Sequence, residues 1–280
     1  LEGENMHIII PMAGSGERFV AEGYTDPKPL IKVGGKHIIE YVCDMFDRDE
    51  DEFTFICNDK HLETTGMRGI LENLVKHANV VSMPVHKLGP VFTILAFDAL
   101  VYEDEPVIVT YCDTPIIWDY NNFKLYIDNY NVDGCIVSHT DFHPHTLNST
   151  LFAYSKLDKQ NRVLEIKEKS CYTNNKFKEH ASSGTYYFRH GGYIKKYFKQ
   201  LVEKDINYNG EYYVTLVYNL LIKDKLKVYS YLTDFVLSFG KPDDIRNFEA
   251  WQIIINGGQV KDVYDVMRSY EYWSKYNNQC

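Results

Sequence analysis

Residues His7 to Pro11 form a short β-branched run that empties into Met12-Ala13-Gly14-Ser15-Gly16-Glu17-Arg18-Phe19, so a strand is followed at once by a glycine-rich turn. A strand ending in such a loop turns several backbone N–H groups toward one concave space, a geometry that suits a polyphosphate. The spacing disfavours the two commonest phosphate loops. The third glycine of a GxGxxG fingerprint would fall on Phe19, and a P-loop needs Gly-Lys-Ser/Thr after four residues. Two cations, Arg18 and the Lys28 of Pro27-Lys28-Pro29-Leu30-Ile31, stand behind the turn.

Downstream, strand-like and helix-like patterns alternate. Apolar residues at helical spacing predict a helix over Lys36 to Met45, after the Gly34-Gly35 turn, and Glu52 to Cys57 reads as the next strand. A third strand over Asn79 to Met83 precedes the Gly89-Pro90 turn and a helical run, Phe92 to Leu100. The fourth, Pro106 to Tyr111, is almost wholly apolar, as expected of a strand buried on both faces. Beyond residue 134 the strands Cys135 to His139, Thr150 to Leu157, Val163 to Lys167 and Gly184 to Phe188 follow one another with less helix between them. Helical spacing returns at Ile194 to Val202, at Tyr212 to Ile222 with Asn209 as its N-cap, and from Asp243 to Trp273 with a break at Gly257-Gly258. The expected fold is α/β and Rossmann-like, a mixed, mostly parallel sheet flanked by helices with a smaller mixed-sheet region in the second half. Ligands should gather at strand C-terminal ends.

With no internal repeat or linker, residues 7–250 read as one body, with halves at about 7–133 and 134–250. Residues 1–6 read as tag or linker and 251–280 as a C-terminal helical extension. The 30 basic and 39 acidic residues give a net charge of −9, which disfavours nucleic acid as a partner. No apolar stretch approaches the roughly 18–20 residues that span a bilayer, so no membrane partner is expected. Six scattered cysteines without a CxxC pair indicate neither a zinc site nor a disulfide framework, and a cytoplasmic location is expected.

The ordered set of motifs resembles the sugar-nucleotide pyrophosphorylases, the NDP-sugar nucleotidyltransferases with a GT-A-like fold. Ala13-Gly14-Ser15-Gly16-Glu17-Arg18-Phe19 is similar to their G-x-G-x-R-F/L loop, and Pro27-Lys28-Pro29-Leu30 to their lysine motif. Val109-Thr110-Tyr111-Cys112-Asp113 resembles the strand end that carries a metal-binding aspartate, and Glu168-Lys169 the E-K pair. Ser183-Gly184-Thr185-Tyr186-Tyr187-Phe188, Asn209-Gly210-Glu211-Tyr212-Tyr213-Val214 and Phe239-Gly240-Lys241-Pro242-Asp243-Asp244 complete the series. One departure stands out: Ser238 occupies the place of a second metal-binding aspartate, so either the metal leans on Asp113 and phosphates alone, or a neighbour such as Asp234 substitutes, or activity is altered. A related branch associated with surface polysaccharides also lacks that aspartate and carries an NGEYYV-like string.

The resemblance implies transfer of a nucleotidyl group from an NTP to a phosphorylated small-molecule acceptor, such as a sugar 1-phosphate, with Mg²⁺ as cofactor; it also admits a homodimer. Arg18, Lys28 and Lys169 take the catalytic roles, and Asp113 holds the metal. Met12, Ala13, Gly14, Ser15, Gly16, Gly89 and Cys112 bind the nucleotide, while Glu168, Lys169, Gly184, Glu211 and Tyr212 bind the acceptor. Elementary chemistry agrees with such a set: the attacking phosphate is already ionised, so the difficulty is bringing anions together, and cations, N–H donors and a hard divalent ion answer it. Blander readings stand beside these. Asp113 also suits a cap, Lys169 a surface charge, Glu211 a helix-start carboxylate favoured by the dipole, and the acidic run Asp47 to Glu52 a solvated connection. His143 and His145, flanking Pro144, read as a loop rather than a metal pair. A GT-A glycosyltransferase and a non-catalytic nucleotide-binding homologue are the alternatives; Asp113-Thr114-Pro115 lacks the D-x-D motif of the former.

Overall fold

The computed structural model describes residues 5–141 and 152–255. A nine-stranded sheet forms its centre. In chain order its strands are β1 (His7–Met12), β2 (Glu52–Asn58), β3 (His77–Met83), β4 (Val107–Thr110), β5 (Gly134–His139), β6 (Tyr154–Leu157), β7 (Val163–Lys167), β8 (His180–Phe188) and β9 (Val228–Leu232). Parallel pairing joins β3, β2, β1 and β4 in that order; β8 then runs antiparallel between β4 and β5, and β9 lies parallel to β5. The β6–β7 hairpin attaches to the start of β8. The fold is thus α/β with a mostly parallel sheet, and the sheet continues through both halves of the chain.

Alternation along β1 explains why it is apolar throughout. Ile8 and Ile10 pack on one face with Phe53 and Phe55, and Ile9 packs on the other with Val107 and Val109. The polar His7 is tolerated in this setting because both ring nitrogens are satisfied, by Glu105 Oε1 at 2.8 Å and Thr54 Oγ1 at 2.7 Å.

Several elements depart from expectation. The helix predicted from Lys36 begins at Ile38, because Lys36–His37 first pairs back on Lys32–Val33 across Gly34 and Gly35, both at positive φ. The helices Asp59–Thr64 and Met67–Leu74, and the edge strand β9, have no counterpart in the sequence reading. The run predicted as Phe92 to Leu100 divides into a helix, Pro90–Leu95, and a short 3-10 turn, Asp98–Leu100. Asp51, placed in a solvated connection by the sequence, is fully buried; its carboxylate accepts from Met6 N, Asp47 N and the Tyr120 hydroxyl. Of the predicted tail helix, Pro242–Ile255 is helical, and the Gly257-Gly258 break and Trp273 lie outside the described residues, as do His143, His145 and the first two residues of the strand expected from Thr150. No helix among the described residues is long and apolar enough to cross a membrane.

Candidate active site

Because β1 and β4 are parallel neighbours, their C-terminal ends open on the same edge of the sheet. There a cleft of about 550 Å³ is lined by Met12, Ala13, Gly14, Ser15, Gly16, Arg18, Lys28, Gly89, Cys112, Asp113 and Glu211, and by Gly240. Four predicted residues, Glu168, Lys169, Gly184 and Tyr212, are not part of its wall.

Gly16 turns the loop at φ 68°, a left-handed conformation that glycine adopts freely, and a four-residue helix, Glu17–Val20, follows. Phe19 anchors that helix in a small core with Ile31, Phe239 and Ile245, which leaves the adjacent Arg18 exposed in the cleft wall. Lys28 opens a 3-10 turn, Lys28–Leu30, and its Nζ donates to Asp113 Oδ2 at 2.7 Å. Both side chains keep about a fifth of their surface exposed, 24% and 20%. Burial opposes the charge on Lys28, but the Asp113 carboxylate outweighs it and holds the ammonium above its ordinary pKa. Burial likewise raises the Cys112 thiol to about 11, so it lines the cleft as a neutral group at pH 7.

The segment around Ser238 is laced to the same strand end: Phe239 N donates to the Asp113 carbonyl and Leu237 N to that of Pro115, each at 2.8 Å. Ser238 Oγ donates to Asp244 Oδ2 at 3.0 Å, and Lys241 N donates to the same oxygen. Asp244, rather than Asp234, is therefore the carboxylate behind the serine; Asp234 is exposed with its backbone N paired to Ile117. Burial raises the pKa of Asp244, and the nearby Asp113 charge adds to the shift. A Cβ at Gly240 would lie 3.5 Å from Asp113 Oδ2 and 3.8 Å from Ser238 Oγ, so the bare glycine leaves a small oxygen-lined recess. Carboxylate and hydroxyl oxygens are the hard donors that suit Mg²⁺. No group of three or more His, Cys, Asp or Glu arranged for a metal occurs among the described residues.

On the opposite wall, Tyr208-Asn209-Gly210-Glu211 is a tight turn with positive φ at both Asn209 (52°) and Gly210 (82°), the pattern of a type I′ turn. Asn209 is thus a turn residue and not an N-cap; Tyr213 caps the helix, Val214–Lys223. Glu211 consequently lies ahead of that helix, and its cleft position does not arise from a helix start. The chain leaves the turn extended, so alternate side chains face alternate ways. Glu211 and Tyr213 point into the cleft, while Tyr212 turns out to Asp205, bonding it at 2.8 Å. Tyr213 therefore replaces Tyr212 in the cleft wall. Tyr212 serves through its backbone, exchanging hydrogen bonds with Leu88 and Val91. A Cβ on Gly89, φ 85°, would sit 2.8 Å from Tyr212 N, so this close crossing requires glycine.

Lys169 Nζ donates to the Tyr213 hydroxyl at 2.7 Å, and that hydroxyl donates to Glu211 Oε2 at 2.9 Å, which ties Lys169 to the cleft from behind its first layer. Glu168 is buried, accepts from Thr215 Oγ1, and has its pKa raised by burial. Gly184 is buried at the irregularity in β8, where a Cβ would fall 2.5 Å from Thr114 Oγ1, so packing alone already requires a glycine there. Tyr111, Tyr213, His86 and Thr93 line the cleft without having been singled out by sequence. For Tyr111 and Tyr213 the signal was adjacency to Cys112 and Glu211; for the other two it was position beside the Gly89 turn.

Residues 8–170, more than half of the chain, match the family model of the MobA-like NTP transferase domain. The chain belongs to that family. It is by family a nucleotidyltransferase. No curated protein matches the sequence. Among solved structures, the chain is similar to a nucleoside-diphosphate-sugar pyrophosphorylase from Vibrio cholerae, with 21% identity and a TM-score of 0.70 over 86% of this chain and 99% of that one. A UDP-glucose pyrophosphorylase complexed with UDP-glucose superimposes with a TM-score of 0.68 at 16% identity, covering 90% and 99% of the respective chains. The inositol-1-phosphate CTP transferase of T. maritima does so with 0.64 at 14%, covering 93% and 100%. At these identities the likeness establishes the fold.

Proposed function

We propose that the enzyme joins an NTP to a phosphorylated acceptor, a sugar 1-phosphate or a related phosphate monoester, and releases pyrophosphate. An acceptor phosphate oxygen forms a bond to the α-phosphorus as the bond to the bridging oxygen of the leaving pyrophosphate breaks. The nucleophile needs no general base, so the chain's task is positioning and charge neutralisation. Arg18 follows the loop Ala13 to Gly16 in the helix Glu17–Val20 and Lys28 packs beside Gly16, so both cations line the cleft next to the loop and would neutralise the triphosphate and leaving group. Lys169 would hold the acceptor phosphate. Asp113, with the Ser238 hydroxyl and Asp244 behind it, would hold Mg²⁺, which lends positive charge to the phosphate oxygens.

The observation that carries this reading is the Lys28–Asp113 pair beside the glycine loop, because it sets a cation and a metal-competent carboxylate side by side at a strand end. The NGEYYV-like string and Ser238 support a place in the surface-polysaccharide branch, and free cysteines at five described positions support a reducing, cytoplasmic setting. Pyrophosphate release from the four NTPs against a panel of phosphate monoesters tests the proposal. Sugar transfer from an NDP-sugar with NDP release would replace it with the glycosyltransferase reading, and tight NTP binding without turnover with the non-catalytic one.

A further inference from the structure

Behind the Glu211 and Tyr213 wall of the cleft lies a cation in an aromatic setting. The Lys169 ammonium lies 4.4 Å from the centre of the Tyr213 ring and 5.1 Å from that of Tyr208, and it bonds the Tyr213 hydroxyl, which in turn bonds the Glu211 carboxylate. An aromatic ring, a phenol oxygen and, one hydrogen bond further on, a carboxylate near one positive nitrogen are elements by which proteins bind ammonium groups. The type I′ turn at Asn209-Gly210 builds this arrangement, since it folds Tyr208 back beside Glu211 and Tyr213.

We infer that the acceptor is a phosphate monoester bearing a cationic nitrogen, and that this nitrogen takes over the place of the Lys169 ammonium among Tyr208, Tyr213 and Glu211. The inference rests on the proposed function, in which Lys169 pairs with the acceptor phosphate. Drawing that ammonium toward a phosphate removes the cation from the Glu211 carboxylate and the two rings. A neutral acceptor leaves the carboxylate in the cleft wall without its counter-charge; a cationic acceptor restores it. The exchange is local, because Lys169 reaches the rings through a flexible four-carbon stem.

The test compares phosphocholine, glucosamine 1-phosphate and glucose 1-phosphate on the full chain, each with the four NTPs and Mg²⁺, reading pyrophosphate release. At least one of the two cationic esters should exceed glucose 1-phosphate by about tenfold or more in kcat/KM; which one distinguishes an amino alcohol from an amino sugar. Equal or better use of glucose 1-phosphate overturns the cation inference while leaving nucleotidyl transfer intact. Absence of pyrophosphate with every pair of substrates counts against the proposed function itself. Calorimetric titration of the three esters then decides the inference without turnover: tighter binding of a cationic ester supports it, and equal or undetectable binding of all three overturns it. Tyr208→Leu should raise the KM, or Kd, of the favoured cationic ester by roughly 3- to 30-fold and that of glucose 1-phosphate by less than twofold. An equal change for both esters assigns Tyr208 to support of the turn and overturns its role as a cation-binding face.

Discussion

Lys28 keeps its charge in a partly desolvated position because Asp113 lies 2.7 Å away, and each group makes the other tolerable there. Under the proposed function both act on developing charge, so Lys28→Ala and Asp113→Asn should each lower kcat by about 10²–10³-fold, with circular dichroism showing the fold retained. Unchanged steady-state kinetics in both variants would discredit the assignment. Glu168 behaves differently, since it is buried against Thr215 and its folded-state pKa is raised by desolvation. From the ordinary carboxylate pKa, about 4.3, up to that raised value, the folded chain binds more protons than the unfolded chain. Stability should therefore fall as pH rises through this window, and Glu168→Gln should flatten the slope; urea midpoints measured across acidic pH check it. The identity of Lys28 and Asp113 as cleft residues was legible in sequence because each sits within a few residues of a strand end or a proline-bounded turn. Glu168 as a buried carboxyl was not, since its burial and its hydrogen bond from Thr215 depend on segments far along the chain.

At the scale of elements, the site depends on the crossing of two segments, the Leu88 to Val91 turn and the extended stretch through Tyr212, which share backbone hydrogen bonds. Gly89 sits at their closest approach in a left-handed conformation. Gly89→Ala should destabilise the chain by about 1–3 kcal/mol, through strain and contact with the Tyr212 backbone, and should weaken both nucleotide and acceptor binding. A thermal midpoint within 1 °C of the parent would argue against the crossing. The same stretch shows why Tyr212 was chosen over Tyr213: sequence marks an aromatic pair, but a one-residue change of facing in an extended segment exchanges the two sides. The Asn209-Gly210 pair is similarly ambiguous, because asparagine serves an N-cap and a left-handed turn equally well, and only the partner strand decides.

Across the whole molecule, β8 is the strand that unites the two halves, hydrogen-bonding to β4 on one side and β5 on the other. A chain ending at residue 133 would leave β4 as an exposed, mostly apolar edge, and it should be insoluble or aggregate on expression. Recovery of a soluble fragment with native-like circular dichroism would show that the first half folds alone. Local pattern sufficed for the strand-to-glycine-loop entrance, the parallel first half and the ordered motifs, because β-branched runs, glycine turns and proline neighbours act over a few residues. The sequence alone thus determined the fold class and the position of the glycine-rich loop at the end of β1. Tertiary structure decided that Asp244 stands behind Ser238, that Tyr213 rather than Tyr212 enters the cleft, and that Lys169 meets Tyr208 and Tyr213, because each depends on which distant segments the sheet brings together and on which face of an extended chain they meet.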